Sequence, residues 1–155
     1  LWLNAQHMKA AEPGRLAGLV QRFLEEKGID IAAGPKLADV VVLLRERVQT
    51  LVELADQAEY FYRPLDPTAE LVEKHLTPDD EARLEFFAEG VSRLANWDQP
   101  TLAQFIKDFV KQQGVKMPQV GMPLRAKICG TTSTPSVDAV LALLGREEVL
   151  RRLVA

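Results

Sequence analysis

Cysteine, histidine and long apolar runs are scarce in this 155-residue sequence, and each scarcity excludes a class of protein. The single cysteine, Cys129, excludes an internal disulfide and a cluster of thiolate metal ligands. The two histidines, His7 and His75, stand far apart and match no metal-ligand spacing. No apolar run reaches the roughly 18 residues that a membrane span needs. We therefore expect no metal site, no membrane contact and a cytoplasmic location.

Nucleotide-binding and catalytic signatures are missing as well. The sequence contains no glycine-rich P-loop and no GxGxxG turn, so nothing in it predicts a nucleotide pocket. Asp79, Asp80 and Glu81 offer an acid/base cluster, but they follow Thr77 and Pro78. This order is typical of a helix start, where carboxylates face the positive end of the helix dipole. We expect a catalytically silent chain without a bound cofactor.

The net charge of −3 argues against a nucleic-acid partner, but the charge is unevenly distributed. Residues 41–100 hold 6 basic and 13 acidic side chains, whereas residues 101–155 hold 8 basic and 4 acidic ones. Phosphate attraction needs local positive potential rather than a positive total, so an RNA surface would use the last third. Chance segregation of surface charge would produce the same pattern. The first residue is Leu1 rather than Met, which indicates a fragment of a longer chain.

Apolar residues recur with helical spacing along most of the chain, and no stretch alternates long enough to predict a strand. The predicted fold class is all-α. Using proline and glycine as boundaries, we predict helices over 13–28, 35–62, 77–94, 100–114, 136–144 and 146–154. The stretch 115–135 is rich in Gly, Pro, Ser and Thr and is predicted to be irregular. The candidate domain boundaries are the turn regions 63–67 and 76–78.

Two short segments combine arginine with features that suit a binding site. Arg45 and Arg47 interrupt an apolar helical run, where arginine is usually an edge residue with its charge in water. The planar guanidinium also suits base edges and phosphates. The segment Gly121–Lys127 is predicted to be a constrained loop that presents Arg125 and Lys127, as in elements that recognise exposed bases. An ordinary surface turn has the same pattern, so both interpretations stay open.

Several segments, in the same order and spacing, match one protein family. They are Leu1-Trp2-Leu3-Asn4 with Met8-Lys9; Gly34-Pro35-Lys36-Leu37-Ala38-Asp39; Leu43-Leu44-Arg45-Glu46-Arg47 with Tyr60-Phe61-Tyr62; Gly121-Met122-Pro123-Leu124-Arg125; and Gly130, Pro135 and Leu144-Gly145-Arg146-Glu147. Together they cover essentially the whole chain. The chain resembles the C-terminal anticodon-binding region of bacterial glutamyl-tRNA synthetases, which are class I aminoacyl-tRNA synthetases.

The resemblance implies an all-α, two-subdomain helical cage that holds the anticodon loop of the tRNA specific for glutamate. Residues 1–76 would form the first subdomain, and residues 77–155 the second, basic one. The parent chain would be a monomeric glutamate–tRNA ligase whose ATP, Mg²⁺ and glutamate sites lie in a catalytic half outside this sequence. This chain would hold no cofactor and no metal, and its partners would be that tRNA and its own catalytic half.

The resemblance also implies roles for individual residues. Arg47 matches an arginine that recognises the last anticodon base in discriminating members, which reject the tRNA for glutamine. Arg125 matches the arginine of the family's Pro-Leu-Arg motif, which faces the anticodon bases. Thr134, Pro135 and Val137 match the loop and helix start around the first anticodon base. Arg45 and Lys127 are predicted as further RNA contacts.

A second hypothesis is a helical protein-interaction domain without an RNA role. The net acidity favours it, and its partner would bind the acidic segment 41–100. The two hypotheses differ in the salt dependence of binding, because phosphate contacts weaken steeply with salt whereas an apolar helix groove responds little.

Overall fold

The computed structural model describes residues 13–32 and 34–154, which form nine α-helices, one 3₁₀ turn and no strand. The helices are α1 (Pro13–Glu26), α2 (Leu37–Leu44), α3 (Leu51–Tyr62), α4 (Ala69–His75), α5 (Pro78–Val91), α6 (Gln99–Gln113), α7 (Pro118–Cys129), α8 (Val137–Leu144) and α9 (Arg146–Val154). The all-α prediction is therefore confirmed. His7 and the matching segments within residues 1–9 lie outside the described residues.

The chain divides into two compact units, one that ends at Pro64 and one that begins at Leu65. This division falls within 63–67, one of the two turn regions that the sequence offered as a boundary. The division into functional subdomains after Leu76 stays a prediction, because compactness does not define which residues act together on a ligand.

In the first unit, α1, α2 and α3 pack against one another in all three pairings. Helix α1 contributes Leu16, Val20 and Leu24, which stand four residues apart and are fully buried. This spacing places the three side chains on one face of the helix. Gly28, with φ +76°, follows the end of α1 in the left-handed conformation that glycine adopts without strain. The predicted helix from Pro13 to Gly28 is therefore confirmed.

The predicted helix over 35–62 is wrong in its middle, where the chain leaves the helical conformation. Helix α2 continues into a 3₁₀ turn, Arg45–Arg47, and Val48 is then extended, with φ −128° and ψ 161°. Thr50 is the N-cap of the next helix, α3, because its hydroxyl accepts the backbone N–H of Glu53, the third helical residue, at 3.1 Å. Leu44 and Val48 on either side of the turn are buried. Apolar spacing alone did not reveal the break, because both flanking residues stay in the core.

The second unit holds α4 to α9. Helix α5 packs against α6, α7 and α9, while α8 packs against the same three helices. Phe87 of α5 lies in the core, with its ring edge-to-face to those of Phe105 and Phe109 at centroid distances of 5.3 Å each. This geometry is the favoured arrangement of aromatic pairs.

The predicted helix start at residues 77–81 is confirmed, and the structure shows that it is a capping box. The Thr77 hydroxyl accepts the backbone N–H of Asp80 at 3.3 Å, and the Asp80 carboxylate accepts the backbone N–H of Thr77 at 3.1 Å. Each bond satisfies a backbone donor that a helix start leaves unpaired. The acidic cluster at this point therefore has a structural explanation.

Helix α7 lies within 115–135, so the prediction of an irregular loop there is wrong. Pro123 inside the helix has no N–H to donate, and an internal proline costs about 3 kcal/mol. The helix nevertheless buries Val120, Leu124 and Ile128 on one face. Each of these side chains contributes about 1.5–3 kcal/mol on burial. Their sum outweighs the cost of the proline, which a local pattern cannot show.

The two C-terminal helices predicted on either side of Gly145 are confirmed as α8 and α9. The segment before α6 contacts both of them. The indole N–H of Trp97 donates to the Leu141 carbonyl of α8 at 2.8 Å. The Arg146 guanidinium of α9 lies 5.5 Å from the centre of the Trp97 ring and donates to the Leu94 carbonyl.

Candidate nucleic-acid interface

Arg125 lies in the second half of α7, where Thr134 holds its side chain. The Nε–H of Arg125 donates to the Thr134 hydroxyl oxygen at 2.9 Å, and that hydroxyl donates to the Pro135 carbonyl at 2.8 Å. Thr134 is only 5% exposed, so the bond is largely shielded from water. The guanidinium is planar, with its five N–H donors in fixed directions. Holding Nε therefore restricts the orientation of the plane in which the other donors lie.

The predicted site residues of the second unit lie together around Arg125. Arg125, Thr134 and Val137 line a hollow of about 10 Å³ between α7 and α8. This volume admits at most about one water molecule, which means that the side chains around the hollow pack closely. Pro135, between Thr134 and Val137, is buried. The four residues form one cluster, while their contact with RNA stays a prediction.

The local fold explains how residues 131–137 return to α7. Helix α7 ends at Gly130, which has φ +75°. A Cβ at Gly130 would collide with the backbone carbonyl of Leu65, so both the conformation and the space require glycine here. The Thr131 hydroxyl then accepts the N–H of Ser133 at 3.2 Å in a short turn. This turn brings Thr134 against Arg125, nine residues earlier in the chain.

Lys127 lies on the other side of α7 from Arg125. Residues two apart in an α-helix differ by about 200° in direction, so a single loop does not present both side chains. The Lys127 ammonium lies 3.3 Å from the Glu81 carboxylate of α5, and its side chain is 18% exposed. The predicted loop over Gly121–Lys127 is therefore wrong, and a contact of Lys127 with RNA stays a prediction.

The sequence predicts no role for Gly121 beyond its place in the predicted loop and in a segment that matches the family. This glycine stands four residues before Arg125, a spacing that places two residues on the same face of a helix. That spacing was visible in the sequence, but it had no meaning while the segment was interpreted as a loop.

Arg45 and Arg47 belong to the first unit and lie on the 3₁₀ turn after α2. Arg47 is exposed and Arg45 is half-buried. The turn is held at both ends by core residues, since Leu44 and Val48 are buried. A short turn between two buried residues therefore presents the Arg47 side chain from a defined backbone position on the surface of the unit.

Cys129 is buried, as expected for a small structural thiol. Burial raises the pKa of the Cys129 thiol to about 12, although the positive charges of Arg152 and Arg125 act in the opposite direction. The thiol is therefore neutral at physiological pH and too basic to act as a nucleophile there.

The surface charge of the second unit differs from place to place. Lys107 and Lys111 are exposed in the second half of α6, and Lys116 is exposed in the turn that follows the helix. A cleft of about 780 Å³ lies beside α5 and α9. Four of the charged residues in its lining are acidic, Glu81, Glu85, Glu89 and Glu147, and two are basic, Lys127 and Arg151. Carboxylates repel phosphates, so the acidic lining of this cleft disfavours RNA, although Lys127, a predicted RNA contact, is one of its lining residues.

Two further properties concern the described part of the chain alone. No group of three or more His, Cys, Asp or Glu side chains in it is placed to hold a metal ion. None of its helices is long and apolar enough to cross a membrane.

The sequence is similar to those of curated glutamate–tRNA ligases. It is 50% identical to the enzyme of Chromobacterium violaceum over 153 residues, which are 99% of this chain and 33% of the relative. It is 43% identical to the enzyme of Dechloromonas aromatica over 155 residues, which are 100% of this chain and 33% of that relative. The chain therefore spans about a third of the length of the curated relatives that it matches.

Solved structures show the same fold. A glutamate tRNA ligase from Elizabethkingia meningosepticum, in complex with its amino acid, matches with a TM-score of 0.84 and 19% identity, over 97% of this chain and 30% of that one. Glutamate-tRNA synthetase from Elizabethkingia anophelis matches with a TM-score of 0.80 and 18% identity, over 97% and 29% of the two chains. At such identities the likeness concerns the fold alone.

The family comparison agrees with the segments that suggested a resemblance. The model of the anticodon binding domain matches residues 15–155, which is nearly all of the chain. The predicted similarity to the anticodon-binding region of glutamyl-tRNA synthetases is confirmed by this match and by the relatives named above. The chain belongs to the anticodon binding domain family.

Proposed function

We propose that this chain recognises the anticodon loop of the tRNA specific for glutamate, as one part of a glutamate–tRNA ligase. The match of an anticodon binding domain over residues 15–155 is the observation that supports this most directly. Relatives such as the one that is 50% identical are named glutamate–tRNA ligases, which supports glutamate as the amino acid of the tRNA. The catalytic half of the longer protein would use ATP and Mg²⁺ to attach glutamate, while this chain supplies anticodon-dependent binding energy.

In the second unit, the proposed interface is the cluster of Arg125, Thr134, Pro135 and Val137. Arg125 provides charge and several donors in one plane, which suit a base edge or a phosphate. Its bond to Thr134 holds the plane before RNA arrives, so less side-chain entropy is lost on binding. The exposed lysines in the second half of α6 and in the turn after it offer charge for phosphates of the same RNA.

In the first unit, we propose that Arg47 recognises the last anticodon base and that Arg45 is a further RNA contact. Arg47 is exposed on a turn whose flanking residues are in the core, which suits a side chain that meets a ligand. An arginine at this position would give the discriminating type, which rejects the tRNA for glutamine. We further propose that the longer protein is a monomer in the cytoplasm.

The interface is tested by Arg125→Ala in a binding titration with the anticodon stem-loop of glutamate tRNA. We expect the variant to bind about 1–3 kcal/mol more weakly, the usual cost of losing an arginine that meets a base. Arg93→Ala is the matched control, because it removes an exposed positive charge just after α5, outside the cluster. If Arg125→Ala binds as tightly as Arg93→Ala, Arg125 does not belong to the interface.

A further inference from the structure

The guanidinium of Arg125 lies beside Gly121, one helical turn earlier on α7. A Cβ built on Gly121 would lie 3.2 Å from Nη1 of Arg125 and 4.0 Å from a methyl carbon of Val137. The first distance is shorter than the usual separation of two non-bonded heavy atoms. Even one methyl group at residue 121 would therefore displace the end of the arginine side chain.

The backbone does not explain why this residue is a glycine. Gly121 is not among the glycines with positive φ, so its conformation suits any residue. Glycine inside a helix is also less favourable than alanine. The close approach of the guanidinium is thus a feature of the structure that favours a glycine at this position.

Thr134 fixes the same guanidinium from another element. Its hydroxyl accepts the Nε–H of Arg125 at 2.9 Å, and it is itself oriented by its bond to the Pro135 carbonyl. The space left by Gly121 and the buried acceptor at Thr134 therefore both help to set the position of the guanidinium.

We propose that Gly121 and Thr134 are positioning residues, which orient Arg125 so that it discriminates between anticodon bases. This inference rests on the proposed function, since it requires that Arg125 meets the anticodon loop. Neither residue has to touch RNA for this role. Moving the guanidinium by a few tenths of an ångström worsens the geometry of its hydrogen bonds to a base while its charge stays the same.

The test measures binding of Gly121→Ala, Thr134→Val, Thr134→Ser and Arg125→Ala to four stem-loops. One stem-loop carries the glutamate anticodon, and each of the other three has one anticodon base replaced. Gly18→Ala is the matched control, because Gly18 lies in the middle of α1 with no atom close to a Cβ. The midpoint of thermal unfolding and the salt dependence of binding are measured for each variant.

We expect Arg125→Ala to lower affinity and to reduce the penalty for replacing one particular base. Gly121→Ala and Thr134→Val should reduce the same penalty and lower affinity by about 5- to 30-fold, within the range for one well-placed base contact. Their salt dependence should equal that of the unchanged chain, because the positive charge remains. Thr134→Ser should behave as the unchanged chain, and Gly121→Ala should not unfold at a lower temperature.

The outcomes separate the two proposals. If Arg125→Ala weakens binding while Gly121→Ala and Thr134→Val keep full affinity and the full base penalties, the positioning role is overturned and the proposed function stands. If Arg125→Ala has no effect, the role of Arg125 in the proposed function fails and the positioning role fails with it. If Thr134→Val does not fold, Gly121→Ala decides alone.

Discussion

Arg152 of α9 donates its Nη1–H to the carbonyl of Ile128, in the last turn of α7, at 3.0 Å. The arginine is 4% exposed, and its Nε–H also donates to Glu148 at 2.6 Å. Burial would raise the pKa of the Glu148 carboxyl, but hydrogen bonds from Arg151 and Arg152 outweigh it and leave that pKa below its ordinary value. Arg152 thus supplies a donor to the Ile128 carbonyl, which the end of α7 leaves without an intrahelical donor.

Arg152→Ala should destabilise the chain by about 1–3 kcal/mol, because it leaves the buried Ile128 carbonyl without this donor. The ion pair adds little to this loss, since the Glu148 side chain is 29% exposed. Urea unfolding measures this loss. Arg151→Ala is the matched control, since it removes a pair to the same carboxylate from a side chain that is 63% exposed. Its cost should stay below about 1 kcal/mol. Equal losses in the two variants would contradict the structural role of Arg152.

Two glycines that end helices should respond differently to alanine. Gly114 and Gly130 both follow a helix with positive φ, but a Cβ at Gly114 meets no atom, whereas one at Gly130 collides with the Leu65 backbone. Gly114→Ala should cost about 1–2 kcal/mol, the strain of the left-handed conformation. Gly130→Ala should cost about 2–5 kcal/mol, because backbone atoms must also move. Similar losses in urea unfolding would show that Leu65 is not packed against Gly130.

The predictable parts of the fold depend on neighbours in sequence. The apolar stripe of α1, the capping box at Thr77 and the glycine stop at Gly114 are each encoded within a few residues, and the structure contains all three. The helix through Pro123 depends on which side chains other helices bury, and local patterns contain no information on such contacts. The break at Val48 does have a local signal, the cap between Thr50 and Glu53, but the apolar spacing on both sides of it predicts an unbroken helix.

The same difference applies to the candidate site. Arg125 and Thr134 were both named from the sequence, but their hydrogen bond needs the turn after Gly130 to fold back onto α7. The close approach of Arg125 to Gly121 needs α7 to be a helix. Residue types were therefore predictable, whereas the geometry that relates them was not.

Cys129 should make stability depend on alkaline pH. Burial raises the pKa of its thiol from 9.0 to about 12, so the unfolded chain loses this proton at lower pH than the folded chain. The contribution of the protonated thiol to the free energy of unfolding is fully present below pH 9 and is lost as the pH rises towards 12. Between pH 8 and about pH 10.5, the free energy of unfolding in urea should fall for both chains. The fall should be about 1–2 kcal/mol smaller for Cys129→Ala than for the unchanged chain.

Other titrating groups are common to both chains, so they cancel in that comparison. Tyr62 is one of them, since burial and the charge of Asp39 raise the pKa of its phenol. Parallel losses of stability in the two chains would contradict the burial of Cys129.

Arg47→Gln should relax discrimination at the last anticodon base and leave the free energy of unfolding within about 0.5 kcal/mol, as is usual for exposed residues. The loss of discrimination should reach about 1–3 kcal/mol if the guanidinium pairs with the base edge. Arg22→Gln is the control, because it makes the same substitution on an exposed face of α1. A large fall in thermal stability with Arg47→Gln would make this arginine structural instead.

The central claim is tested most directly by titrating this chain with the anticodon stem-loop of glutamate tRNA, with the glutamine stem-loop as competitor, at about 50 and about 200 mM salt. We predict binding that weakens steeply with salt and prefers the glutamate stem-loop. Equal binding to both stem-loops would retain anticodon binding and contradict the discriminating role of Arg47. Absence of binding to either stem-loop at both salt concentrations would contradict the claim that this chain recognises the anticodon.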